Sequence, residues 1–378
     1  MFRRLTIGLR FSRREAWIGG VYYVRNLVCA LRRLPRDRRP GLLIVGGDKA
    51  ILKELKDATG YPGLERTSRT RIERAPVRAL PFPPDRRTQI DLILLGSPPG
   101  LEDRAVLWIP DLQEQTHPEF FPPEEREARR AHHAARLEAH RHVMVSSQDV
   151  AEGLRRFYGF SGHIHVIRFA SFFEPPANPA SVRDKYSLPE RYFICSNQVW
   201  KHKNHAVVIR ALAEARDGTE PPMVFTGLEE EPRDPGYPAS LWALASDLGA
   251  APRLRRLGFL PREDQLALMA GAIAVVQPSL SEGWSTVVED AKALGRHVIA
   301  SDIPVHREQL GPGADVFAPD DPHALARLLR RCAETPPATP PLDYAALRQR
   351  FAEDLWRMID SVERDLRRRR TPRLVISR

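Results

Sequence analysis

The chain has 378 residues, more than one ordinary compact domain holds at roughly 150 residues each, and 42% are hydrophobic, which excludes a disordered basic protein. The net charge is +10, and seven lysines among 58 basic residues leave 51 arginines, so an acidic partner is indicated: nucleic acid, lipid headgroup or phosphorylated substrate. No run of about 18 apolar residues occurs, arginines break up MFRRLTIGLRFSRREAW as a signal-peptide core, and Cys29, Cys195 and Cys332 form no disulfide framework or CxxC site, so a reducing cytoplasm is expected.

Strand and helix signals alternate along the first half. LTIGL (5–9) is a short apolar run, and Gly19-Gly20 precedes VYYVRNLVCAL (21–31), a helical pattern. LLIVGG (42–47), IDLILLG (90–96), AVLWIPD (105–111), HVMVSS (142–147) and HIHVIRFAS (163–171) read as strands. Glu124 to His140 reads as a polar helix, and QDVAEGLRRFYG as a helix stopped by Gly159. Continuously apolar strands alternating with helices imply a parallel sheet covered on both faces.

Residues 173–191 break the alternation and read as a linker between a first domain, 1–172, and a second, 192–343. In the second, YFICSN (192–197), MVFTG (223–227), RLRRLGFL (253–260), AVVQPS (274–279) and HVIASD (297–302) read as strands between helices. A helix over 344–366 carries Leu347, Phe351, Leu355, Met358, Ile359 and Val362 on one face and is expected to pack back across the domains. Residues 367–378 read as a basic tail. Proline clusters at 81–84, 98–99, 122–123, 175–179 and 336–341 read as loops. The fold expected is α/β: two Rossmann-like doubly wound parallel-sheet domains facing a cleft, with a C-terminal crossover helix. Ligands in such sheets sit at the carboxyl ends of the strands.

Several motifs are absent from the sequence: GxxxxGK[ST], GxGxxG after a strand, GxSxG, HExxH and Asp-x-Asp. His132, His133, His140 and His142 read as a solvated helix face rather than a metal site.

The segment richest in chemistry is PSLSEGWSTVVEDAKALGRHVIASDIPVHREQ (278–309). A strand ends near Ser279, a loop carries Glu282 and Gly283, and a helix opens near Thr286. Thr286-x-x-Glu289 reads as a capping box. The helix start is an anion site, and Gly283 admits a ligand close to the backbone. Glu282 and Asp290 then hold sugar hydroxyls around a phosphate. The competing reading is that Glu289 and Asp290 only complement the helix dipole.

This segment resembles the donor-binding signature of retaining GT-B glycosyltransferases of family 4, the glycosyl transferases group 1. The family pattern is Glu-x7-Glu; Glu282 matches the first acid, and Asp290 stands at the second, one methylene shorter, with Glu289 adjacent. ICSNQVWKHKNHAVVIRAL (194–212) resembles the diphosphate grip, with Lys203 at the lysine and Gln198 where the family carries arginine. Gly19-Gly20 resembles the family's N-terminal glycine pair, and FTG, ending in Gly227, and LGFLPREDQLALM (257–269) fit its second domain. WIPDLQEQTHPEFFPPEE (108–125) resembles the acceptor-side loop, with Glu114 where a histidine is common.

The resemblance implies transfer of a sugar from a UDP- or GDP-sugar to a saccharide or lipid-linked saccharide acceptor, without a metal cofactor. It assigns Glu282, Asp111 and His117 to the reaction. It assigns Gly19, Gly20, Asn197, Gln198, Lys203, Gly227, Gly283, Trp284, Ser285, Thr286, Glu289 and Asp290 to the donor. Peripheral contact with anionic membrane through Arg367–Arg370 is expected, and nucleic acid is not. The alternatives are a sugar-nucleotide epimerase or phosphorylase on the same fold, or a non-enzymatic nucleic-acid-binding or scaffold protein.

Overall fold

The computed structural model describes residues 4–11, 18–45, 49–66, 72–75, 87–214, 220–335, 337, 342–369 and 373–377. The proline loop at 81–84, most of that at 336–341, and Arg370 lie outside the described residues. The chain divides into two compact units. One comprises Met1–Leu112, Arg129–Phe172 and Ala345–Arg378; the other comprises Gln113–Ala128 and Phe173–Tyr344.

The first unit holds β1 (Thr6–Arg10), β2 (Gly41–Val45), β3 (Leu64–Arg66), β4 (Ile72–Ala75), β5 (Arg87–Ile90), β6 (Leu92–Leu94), β7 (Ala105–Trp108), β8 (His142–Val145) and β9 (His163–Val166). Seven of these make one sheet, in the order β3-β2-β1-β6-β7-β8-β9, parallel throughout. Ile7, Leu9, Leu92, Ile93, Leu94, Val106 and Leu107 have no exposed surface, as expected of strands covered on both faces. IDLILLG is split at Asp91, whose carboxylate accepts from the Thr6 amide (2.9 Å) and so fastens β1. The helix Gln148–Tyr158 is capped by Ser147, which accepts from the Val150 amide, and stops at Gly159 in the left-handed region (φ 59°).

Two features of this unit differ from the sequence expectation. His140 and His142 are buried rather than solvated. The helix ends at Ala139, so His142 falls in β8. There it stacks on His163 and His165 and meets Asp365 of the terminal helix Tyr344–Arg368 (3.2 Å). The basic tail, in turn, contains a strand, β16 (Arg373–Ser377), which pairs antiparallel with both β4 and β5. Arg367 of the terminal helix and Arg369 just past its end reach Glu363 and Asp365 one turn back. Such exposed pairs contribute little stability, but they offset local positive charge. The predicted apolar face of this helix is buried at Phe351, Leu355, Met358, Ile359 and Val362. Among the described residues no helix is long and apolar enough to cross a membrane.

The second unit holds β10 (Phe193–Ser196), β11 (Met223–Thr226), β12 (Leu254–Gly258), β13 (Val275–Gln277), β14 (Val298–Ser301) and β15 (Asp315–Phe317). All are parallel, in the order β12-β11-β10-β13-β14-β15. Strand order therefore reverses between β10 and β13, and their carboxyl ends open the crevice in which such sheets bind ligands. The stretch read as a linker contains a short helix, Pro179–Lys185, capped by Asn178. The segment Gln113–Ala128, read from sequence with the first domain, clusters with this unit.

The end of β11 comes very close to the loop after β10. Gly227 has φ +136°, and a β-carbon there would lie 2.1 Å from the Asn197 carbonyl oxygen and 2.9 Å from the Gln198 nitrogen. Only glycine fits, because both the backbone conformation and the contact exclude a side chain. Gly227→Ala is expected to cost about 3 kcal/mol in urea unfolding; an unchanged midpoint would contradict the close approach.

Candidate functional site

Two loops leave the switch point and are laced together. The first follows β10 and runs through a single turn, Lys201–Lys203, that Asn204 ends in the left-handed conformation (φ 54°). That geometry aims the Asn204 amide at two carbonyls, Pro278 (3.2 Å) and Pro319 (2.8 Å). The second loop follows β13; its Leu280 amide donates to the His202 carbonyl (2.7 Å). Backbone and side-chain bonds thus fix Lys203 opposite Glu282 before any ligand arrives.

Lys203 Nζ donates to Glu282 Oε1 at 2.6 Å, with the two side chains 16% and 10% exposed. Gln277 Nε2 donates to the same oxygen (2.8 Å) and to Ser279 Oγ (2.9 Å). Gln277 Oε1 accepts from Asn197 Nδ2 (3.0 Å). Burial by itself raises the Glu282 carboxyl. The Lys203 ammonium and hydrogen bonds to the carboxylate outweigh it and hold the group below the usual carboxylate range. The site is a nearly dry, ionised carboxylate with one cation on it.

A second set of contacts anchors the helix Thr286–Ala293. Its cap is Ser285, not Thr286: Ser285 Oγ accepts from the Val288 amide (3.3 Å). One residue of shift turns Glu289 away from the cap. Glu289 Oε1 accepts from Lys292 (2.8 Å) and Gln309 (3.0 Å), and Oε2 accepts from the Tyr344 hydroxyl (2.7 Å). Gln309 also bonds both the amide (3.1 Å) and the carbonyl (2.8 Å) of Ser285. Glu289 is therefore an internal brace rather than half of a capping box. Asp290 is fully buried and accepts from Arg262 Nη2 (2.6 Å). Arg262 also donates to Gln265 (3.0 Å), which bonds Ser196 at the end of β10 (2.6 Å).

The predicted residues fall into three groups. Glu282, Lys203, Asn197, Gln198, Gly227, Gly283, Trp284, Ser285 and Thr286 cluster around the two loops, with Glu289 and Asp290 behind them in the helix. His117 joins them from 163 residues away: its Nε2 lies 3.0 Å from the Leu280 carbonyl and its Nδ1 3.0 Å from Glu119. The Nε2 contact ties His117 to the loop that carries Glu282. Gly19, Gly20 and Asp111 belong to the first unit. The two glycines lie in the first turn of the helix Ile18–Arg33 rather than before it, and Asp111 follows the carboxyl end of β7.

Sequence reasoning missed Gln277, Arg262, Gln309 and His306. A glutamine closing a buried apolar strand, as Gln277 does, was the one available signal; the others meet the site only through tertiary contact. His202, His205 and His306 are buried and neutral. Desolvation pushes His202 well below the ordinary histidine range and His205 down to about 3, and it lowers His306 against the pull of Glu282. Elsewhere, His297, Asp315 and Cys332 bring ligand-type atoms within 4.8 Å of one another. Asp315 is already held there by His297 and Arg331.

Two doubly wound parallel-sheet units, with these residues at the switch point of the second, define the GT-B fold of glycosyltransferases. Residues 182–353 match the family model described as "Glycosyl transferases group 1". Over 198 residues the chain is 25% identical to the O-antigen chain mannosyltransferase RfbU of Salmonella typhimurium, covering 52% of each protein. Over 232 residues it is 26% identical to the O-antigen chain mannosyltransferase B of Escherichia coli, covering 59% of this chain and 60% of that one. The match thus spans little more than half the length of these relatives. HepE of Anabaena, solved with UDP and glucose, shares the fold with a TM-score of 0.62 and 16% identity, over 97% of this chain and 99% of that one.

Two outcomes follow for stability. Arg262→Ala leaves the Asp290 carboxylate buried without its cation, at an expected cost of about 3 kcal/mol in urea unfolding; a cost near zero would show that the pair is dispensable. The three depressed histidines take up protons in the unfolded chain at higher pH than in the folded one. The stability they support above about pH 6.5 is lost as pH falls towards their folded values. Thermal melts should decline from about pH 7 to about pH 5, and His205→Phe should flatten that slope.

Proposed function

We propose that this chain is a retaining glycosyltransferase that moves a sugar from a UDP- or GDP-sugar to a hydroxyl of a saccharide or lipid-linked saccharide. The observation that carries the reading is the buried Lys203–Glu282 pair at the switch point, beside the start of the helix Thr286–Ala293. The group 1 family match, the mannosyltransferase names of the relatives and the UDP and glucose bound by HepE support it.

The chemical task is to stabilise a departing diphosphate while positive charge develops on the sugar. Preorganised charges in a dry site perform it best, since they need no reorganisation during the reaction. Lys203 supplies a cation held in place by the Asn204 and Leu280 bonds. The positive end of the helix Thr286–Ala293 adds its dipole. Glu282 is ionised and acceptor-only, so its carboxylate binds sugar hydroxyls and faces the charge that grows at the anomeric carbon. The sequence has no Asp-x-Asp clamp, and in this reading the lysine and helix dipole neutralise the leaving group without a metal. Asp290, engaged by Arg262, holds the ribose side of the donor together with that guanidinium.

Thermal-shift screening against a panel of nucleotide sugars should single out one donor, because a ligand at about 100 times its Kd adds about 2.7 kcal/mol to stability. With that donor, Lys203→Ala should lower turnover about 100-fold or more, and Glu282→Gln should lower kcat with the fold retained. Near-native kinetics for Lys203→Ala would remove the phosphate assignment. A Glu282→Gln variant that changed only the melting temperature would make Glu282 structural.

A further inference from the structure

His306 lies on the short helix Pro304–Leu310, has no exposed surface, and belongs to none of the residues assigned above to the donor or the reaction. Its Nδ1 donates to the Ser301 carbonyl at 2.9 Å and lies 3.1 Å from Ser301 Oγ. That contact assigns the ring proton to Nδ1 and leaves Nε2 a bare acceptor, which is buried and has no hydrogen-bond partner among the described residues. Ser301 closes β14. Its hydroxyl donates to the Ser279 carbonyl, tying the end of β14 to the loop after β13. Ser279 Oγ in turn accepts from Gln277 Nε2 (2.9 Å), which also donates to Glu282 Oε1 (2.8 Å). The imidazole is therefore linked through Ser301 to the Ser279 backbone, and Ser279 shares Gln277 with the acid.

We infer that His306 is a positioning residue for Glu282. It fixes the Ser301 hydroxyl on Ser279, and so sets where the Glu282 carboxylate stands relative to the sugar. A buried imidazole with an unsatisfied nitrogen is costly to keep, and apolar packing would fill the same space without that cost. What the imidazole adds is the Nδ1 donor. The inference rests on the glycosyl-transfer reading above and adds one residue to it. A misplacement of the acid by a fraction of an ångström affects the transition state more than donor binding, because Lys203 and the helix start stay in place.

The test uses the full-length protein with its best nucleotide-sugar donor and three substitutions of His306. Asparagine carries its amide nitrogen where Nδ1 stands, glutamine carries it where Nε2 stands, and phenylalanine keeps the volume. His306→Phe and His306→Gln should each lower kcat about tenfold or more while the donor KM stays within about twofold. His306→Asn should recover most of the turnover. Ser301→Ala should show the same kcat loss, and His306→Phe/Ser301→Ala should be no worse than either single change, as expected of two links in one chain. Ser301→Ala also serves where His306→Phe fails to fold. Wild-type kcat in His306→Phe or in Ser301→Ala overturns the inference. Equal losses in His306→Asn and His306→Phe also overturn it, since volume alone would then account for the effect. If Lys203→Ala abolishes transfer while His306→Phe does not, the positioning role fails and the glycosyl-transfer reading stands. A wild-type protein that transfers from no nucleotide sugar takes down both.

Discussion

An ionised carboxylate held almost out of water is expensive, and the organisation of the second unit can be read as the means of keeping Glu282 charged. Desolvation alone would protonate it. One ammonium at 2.6 Å, an amide from Gln277 and a serine hydroxyl reverse that tendency. Each helper must itself be held, because a flexible lysine would surrender the gain to side-chain entropy. The left-handed Asn204, the Leu280–His202 bond and the Asn197–Gln277 bond do the holding.

The second constraint comes from the sheet. Only where strand order reverses do two adjacent parallel strands, β10 and β13, send their following loops in opposite directions. The lysine and the acid ride on those two loops, 79 positions apart in sequence. Gly227 lets the neighbouring β11 end press against the first loop at a distance no side chain would allow. Behind the loops, Glu289 accepts from Lys292, Gln309 and Tyr344, and Asp290 accepts from Arg262. The site thus has a charged front and a braced back, and both draw on the same helix, Thr286–Ala293.

Local rules located most of these parts but not the partners they meet. A Thr-x-x-Glu pattern is a sound signature of a helix start, yet Ser285 one residue earlier is an equally good cap. Which of the two wins depends on Gln309, which binds both the amide and the carbonyl of Ser285 from 24 residues away. The resemblance of its loop places His117, and the sequence carries no hint that its ring meets a backbone carbonyl in a distant loop. The histidines at 140 and 142 read as a polar face, although a strand is expected from 142, because the sequence does not reveal that His142 packs on His163 and His165 and meets Asp365. The basic C-terminal segment hid a strand because its partners, β4 and β5, lie nearly 300 residues away.

By itself the sequence determined the class of fold, the two runs of alternating strands and helices, and the identity of the central pair, Lys203 and Glu282. These follow from local quantities: apolar runs of strand length, loop residues at strand ends, and two segments whose pattern resembles a known donor site. Tertiary structure alone decided that the lysine lies on the acid, that Glu289 faces inward, that Asp290 meets Arg262, and that His306 stands behind the loop carrying Glu282. Those facts are pairings between residues tens to hundreds of positions apart, set by strand order and by the need to satisfy every buried charge. No local pattern encodes them, because the free energy that selects each partner exists only once the sheet has brought the loops together.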